Sequence, residues 1–78
     1  MNDLKYTPQE IGRLVRETRT GLGVTQKALA LTSGTGLRFI IELENGKETA
    51  RIGKVLTVVQ TLGIQLTLTP LPAATKQG

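Results

Sequence analysis

From Thr25 to Lys47 the chain reads TQKALALTSGTGLRFIIELENGK, a stretch that glycines divide into two helical pieces of about two turns each. Thr25 is a good N-cap for the first piece, which carries Leu29 and Ala30 to about Thr32 before Ser33-Gly34 breaks it. Thr35 can cap the second piece, Gly36 to Glu44, and Asn45-Gly46 supplies residues that accept the left-handed conformation ending a helix. Helices this short are not stable alone. Both must be held by neighbours, and two such helices joined by a short Gly-containing turn form a helix-turn-helix unit.

Helices are legible on either side. Thr7, Pro8 and Glu10 make a capping box: Thr7 accepts from the Glu10 N–H, the Glu10 carboxylate reaches back to the Thr7 N–H, and Pro8 takes the first helical position. Ile11, Leu14, Val15 and Leu22 then recur at helical spacing, and Gly21 and Gly23 close the element. Arg13, Arg16 and Arg19 fall at three-residue intervals, as a basic stripe or a solvated face would. A fourth helix is expected from about Ala50 to Leu62, capped by Thr49, with Ile52, Val55, Leu56, Val59 and Leu62 on its core face and Val58 off that stripe.

After Gly63 the period changes. Ile64, Leu66 and Leu68 alternate with Gln65, Thr67 and Thr69 until Pro70 and Pro72, which is the pattern of a half-buried strand. Nothing else in the chain looks like a strand, and a solitary strand leaves unpaired backbone groups along both edges. Pairing with the same strand of a second copy, in a twofold dimer, satisfies them; an extended segment lying over its own core is the alternative. The expected organisation is an N-terminal arm (1–6), a helical domain (7–63), a dimerisation strand (64–70) and a flexible polar tail (71–78).

Composition narrows the function. A 78-residue chain buries little more than about 60% of its unfolded surface, and with neither Cys nor His it has no disulfide or zinc staple, which leaves oligomerisation as a source of stability. No apolar run approaches membrane-spanning length and no signal-peptide core is apparent, so a cytoplasmic location is expected. Ten Lys and Arg against six Asp and Glu give a net charge of +4, which favours a polyanionic partner. Tyr6 and Phe39 are the sole aromatic residues, too few for stacking single-stranded bases, so duplex DNA is the better match. An enzyme is not expected: there is no His or Cys, few carboxylates, and Gly34-Thr35-Gly36 is no dinucleotide fingerprint because no strand precedes it. No cofactor or metal is implied.

Thr25-Gln26, Leu29-Ala30, Gly34, Ile40 and Glu44-Asn45-Gly46-Lys47, followed by a helix ending in Leu62-Gly63-Ile64, resemble the Cro/phage-repressor (XRE) type of helix-turn-helix over about residues 10 to 64. The resemblance implies a mainly α, four- to five-helix lambda-repressor-like domain that binds double-stranded operator DNA. The single alternating strand after the helices resembles HipB-type antitoxins more narrowly. That group pairs C-terminal strands between subunits, represses its own operon and binds a HipA-type kinase toxin.

In this class the third helix enters the major groove. At 100° per residue Ile40 and Leu43 face inward with Leu29, Arg38, Glu42 and Asn45 lie on one outward line, and Leu37 and Ile41 on another. The resemblance puts Gly36, Leu37, Arg38 and Glu42 at base edges. Arg38 suits guanine, whose O6 and N7 a guanidinium can take together. Glu42 is open to three roles: accepting from cytosine, orienting Arg38, or plain solvation. Leu37 and Ile41 suit thymine methyls or a protein surface, and Phe39 suits the core. Phosphate contacts are implied at Thr25, Gln26, Thr35, Asn45 and Lys47, with Arg51 and Lys54 weaker candidates. Arg19 and Glu44 are implied to pair inside the domain, since a lone buried carboxylate is costly. A module that binds protein and never DNA is the competing class, but it would have no use for Gln26, Asn45 and Lys47.

Overall fold

A computed structural model describes residues 6–72 of the chain. Among these residues four helices follow one another, α1 (Pro8–Gly21), α2 (Gln26–Ser33), α3 (Leu37–Glu44) and α4 (Ile52–Thr61). The two threonine caps form as local chemistry dictates, Thr7 Oγ1 accepting from Glu10 N at 3.1 Å and Thr25 Oγ1 from Ala28 N at 3.0 Å. The reciprocal half of the first capping box does not form. The Glu10 carboxylate turns instead to Arg13, which also bonds Glu17 at 3.1 Å on the same exposed face.

The turn between α2 and α3 is built differently from the expectation. Gly36, not Thr35, is the N-cap of α3 and it makes no side-chain cap, while Thr35 Oγ1 lies 2.9 Å from Ser33 Oγ. Gly34 and Gly36 adopt φ of 71° and 96°, conformations that a β-carbon disfavours, so the reversal needs glycine at both positions. The fourth helix begins at Ile52, later than expected, because residues 48 and 49 are taken up in a turn and Thr49 caps nothing.

The core consists of Val15 from α1, Leu29 and Ala30 from α2, Ile40 and Leu43 from α3, and Val55, Val58, Val59 and Leu62 from α4 and its end. Ile11, Val24, Phe39, Ala50 and Ile64 pack on its margin. Two positions on α4 exchange roles relative to the sequence pattern: Val58 is fully buried, while Ile52 is exposed. Leu14 and Leu22 are also largely exposed, so the buried stripe of α1 is narrower than its apolar spacing suggests. Arg13, Arg16 and Arg19 form no common stripe, because Arg19 turns inward.

α3 packs against both α1 and α2, and α2 packs against α4. The α1–α3 crossing is close because Gly12 has no side chain: a β-carbon there would stand 2.3 Å from the Leu43 carbonyl oxygen. One turn earlier, Gln9 lies against Gly46, which ends α3 with φ of 82°.

Residues 64–71 carry no helix or strand, and no strand forms among the described residues. The expected β-structure at Ile64, Leu66 and Leu68 is therefore absent among the described residues, where no other strand stands beside the segment. Ile64 packs on the core margin, whereas Leu66 and Leu68 are exposed. Of the expected arm and tail, all but Tyr6, Leu71 and Pro72 lie outside the described residues.

Gly12→Ala is expected to lower stability by about 1–3 kcal/mol through overpacking of the α1–α3 contact. Gly53→Ala, on α4 with open space around it, should raise stability by about 0.5–1 kcal/mol. Urea unfolding midpoints read both, and equal midpoints for the two variants would contradict the close approach at Gly12.

Candidate nucleic-acid interface

The platform for the site is an ion pair under α3. Arg19 on α1 donates from Nε to Glu44 Oε2 at 2.6 Å and from Nη2 to Glu44 Oε1 at 3.0 Å, and its Nη1 donates to the Val24 carbonyl at 2.8 Å. Gln26 Nε2, at the start of α2, donates to Glu44 Oε1 at 3.0 Å. The two charged side chains are 10% and 3% exposed, and the bond to Glu44 raises the Arg19 pKa further above its ordinary value. A two-pronged guanidinium–carboxylate pair with its remaining groups satisfied is the arrangement in which buried charges are tolerated. It joins α1, the α1–α2 turn, the start of α2 and the end of α3 at one point.

With its inner face fixed by Ile40, Leu43 and Glu44, α3 turns Leu37, Arg38 and Ile41 outward. Arg38 is 91% exposed. Leu37 and Ile41 retain 43% and 38% exposure, more than core residues keep. Phe39 is half-buried on the core margin, with the Lys54 ammonium 5.7 Å over its ring. Lys54 is thereby drawn onto the aromatic face rather than standing as a bare cation.

Glu42 sits among cations. Its Oε2 accepts from Arg38 Nε at 3.3 Å and its Oε1 from Lys47 Nζ at 3.0 Å. These bonds, that of Lys47 foremost, hold its carboxyl below the usual range, so it is charged at neutral pH. Arg38, Glu42 and Lys47 thus form a connected chain running from the first turn of α3 to the residues beyond its end.

The second feature is the N-terminus of α2. Thr25 Oγ1 and its carbonyl take the N–H groups of Ala28 and Leu29, and those of Gln26 and Lys27, in the first turn, have no intrahelical acceptor, an arrangement suited to an anion. The Gln26–Glu44 bond places this terminus by the C-terminal end of α3, where Asn45 and Lys47 follow. Thr35 and Gly36 lie at the opposite end of α3. The resemblance implied for Gln26 only a role toward phosphate; its bond to Glu44 comes from a partner 18 residues away and had no local signal.

Among the described residues, no cluster of metal-ligating side chains occurs and no helix is long and apolar enough to cross a membrane. The surface hollows are shallow: one of about 130 Å³ is bordered by Pro8, Ile11, Ile52 and Val55, and one of about 110 Å³ by Leu22, Val24 and Leu62.

A short α2, a glycine turn and an α3 pinned by its inner face define a helix-turn-helix domain of the Cro/phage-repressor (XRE) type. The pattern of the helix-turn-helix domain family matches residues 12–68, and the chain belongs to that family. Over 60 residues it is 55% identical to the HTH-type transcriptional regulator y4mF of Sinorhizobium fredii, itself uncharacterized, covering 77% of this chain and 79% of that protein. Its fold is similar to a chain of a HipA-HipB-O2-O3 complex, with a TM-score of 0.77 at 24% identity over 87% of this chain and 96% of that one. It is also similar to a HipB variant in complex with an O2 20mer, with a TM-score of 0.76 at 23% identity over 90% and 97%. At such identities the likeness to HipB is one of fold.

Arg19→Met leaves Glu44 buried with the Gln26 amide alone, and is expected to cost about 3–5 kcal/mol. Chemical denaturation measures the loss; a cost below 1 kcal/mol would mean that water reaches Glu44 and that the pair is not structural.

Proposed function

We propose that this protein is a sequence-specific, double-stranded DNA-binding transcriptional repressor that acts as a homodimer and places α3 in the major groove. The observation that carries this is the outward face of α3, where Arg38 stands almost fully exposed beside the part-exposed Leu37 and Ile41, on a helix whose other face is locked to α1 and α2. A groove about 12 Å wide admits one α-helix, and a helix that is fixed in orientation loses little freedom on entering it.

In this account Gly36, Leu37 and Arg38 meet base edges, with Glu42 beside them on the same face, bonded to Arg38. Arg38 takes guanine, and Gly36, having no side chain, lets the start of α3 approach closely. Thr25 and Gln26 with the α2 N-terminus, together with Thr35, Asn45 and Lys47, hold phosphates and set the register. Dimerisation runs through residues 64–70: Ile64 anchors the segment to its own core, and Leu66 and Leu68 with the free backbone edge pair with the same segment of a second chain.

The narrower proposal is an autoregulating antitoxin of a HipBA-type operon that also binds a HipA-type kinase toxin. The fold likeness to HipB, including a chain in complex with HipA, supports it. A stand-alone regulator of the same build is the alternative, and a kinase-like reading frame beside the gene decides between them.

Gel shifts with the upstream region of the protein's own gene test the repressor proposal. Tight binding relative to random duplex is expected at physiological salt, with a near-palindromic site whose half-sites are about 10 base pairs, or a multiple, apart. Arg38→Ala should cost about 1–3 kcal/mol and relax the base preference, while Lys47→Ala should weaken all duplexes alike. No preference for the upstream region, together with an inert Arg38→Ala, would refute the proposal. Removal of residues from Gln65 onward should yield a monomer in sedimentation with much weaker operator binding; an unchanged dimer would refute pairing through that segment.

A further inference from the structure

α3 carries two carboxylates, and they face opposite ways. Glu44 is consumed inside the domain, whereas Glu42 lies outward on the face assigned to DNA, where phosphates repel it. Both of its carboxylate oxygens are held by cations of that face: Arg38 Nε takes one and Lys47 Nζ the other.

We propose that Glu42 is a specificity-determining residue that competes with DNA phosphate for Arg38 and Lys47, suppressing binding to random sequence while leaving the base contact of Arg38 intact. This rests on the DNA-binding function proposed above. The physical basis is an asymmetry between the two kinds of complex. On random duplex the attraction is almost wholly between cations and phosphates. Arg38, Glu42 and Lys47 together then present one net positive charge instead of two, and a phosphate gains a full contact only by drawing a cation away from the carboxylate.

On the operator the requirement differs. The bond to Glu42 uses Nε of Arg38, while its two terminal amino groups have no partner among the described residues, and these are the pair that takes guanine O6 and N7. The base contact therefore forms without breaking the bond to Glu42, which also limits the motion of an otherwise exposed side chain. The carboxylate thus weakens nonspecific binding more than specific binding, and specificity is the difference between the two.

Glu42→Gln removes the charge and keeps the shape, and Glu42 is not part of the core, so the fold should hold; a thermal melt by circular dichroism checks this. Fluorescence anisotropy is read on a duplex from the protein's own upstream region and on a scrambled duplex of equal length. For Glu42→Gln the scrambled duplex should bind about fivefold tighter, with a salt slope steeper by about one. The upstream duplex should gain less, so that the preference falls. In a Lys47→Ala background the gain on scrambled DNA should shrink, because one of the two released cations is gone. Equal gains on both duplexes, or none on either, would overturn the proposal. So would a loss on the upstream duplex with scrambled binding unchanged, which marks a direct contact from Glu42 to cytosine. If the wild-type chain shows no preference between the duplexes, the DNA-binding proposal itself fails and this one with it.

Discussion

The structure depends on one buried interaction, the Arg19–Glu44 pair. α2 and α3 each have eight residues, below the length at which a helix persists in water, so their order must come from contacts outside themselves. Apolar packing at Leu29, Ile40 and Leu43 supplies most of the attraction, but hydrophobic contact is non-directional. The pair adds direction. Three donors, Nε and Nη2 of Arg19 and the Gln26 amide, converge on one carboxylate while Arg19 Nη1 holds the Val24 carbonyl, and together they fix where α3 ends relative to α1 and α2.

Close approach at Gly12 works with the pair. Without a β-carbon, α1 rests on the backbone of Leu43 and Glu44, which brings Arg19, two turns further along α1, within reach of the carboxylate. The consequence for function lies on the other side of the helix. Because the inner face of α3 is held by backbone contact, core side chains and a charged pair, its outer face is left free of structural duties. Leu37, Arg38, Ile41 and Glu42 can then be chosen for what they meet outside the domain.

Much of the fold was legible in local chemistry. Thr7, Pro8 and Thr25 start helices for reasons that lie within four residues, and Gly34 and Gly46 end them likewise. What local rules missed required partners distant in sequence. Thr35 looked like a cap, but Ser33 captures its hydroxyl and the turn geometry passes the cap to Gly36. Ile52 and Val58 are both apolar at helical spacing, and only the way α4 packs on the rest of the core decides that Val58 goes inward and Ile52 does not. The segment from Ile64 to Pro70 has strand periodicity, yet it forms no strand among the described residues, because alternation alone supplies no second strand to bond with. At the candidate interface, spacing placed Arg38 and Glu42 on one outward line, as the helix has them. The bond from Glu42 to Lys47 crosses the end of α3, where helical periodicity no longer applies, and was not legible.

The central claim is that one face of this domain, α3 with the N-terminus of α2, is its DNA surface. The most direct measurement is amide NMR of the labelled protein titrated with a duplex from its own upstream region. The account predicts shifts concentrated at Gln26, Lys27, Gly36 to Arg38, Glu42, Asn45 and Lys47, with Val15, Val58 and the rest of the core unmoved. Shifts confined to Leu22, Ile52 and the C-terminal segment, or none at all at saturating duplex, would contradict it.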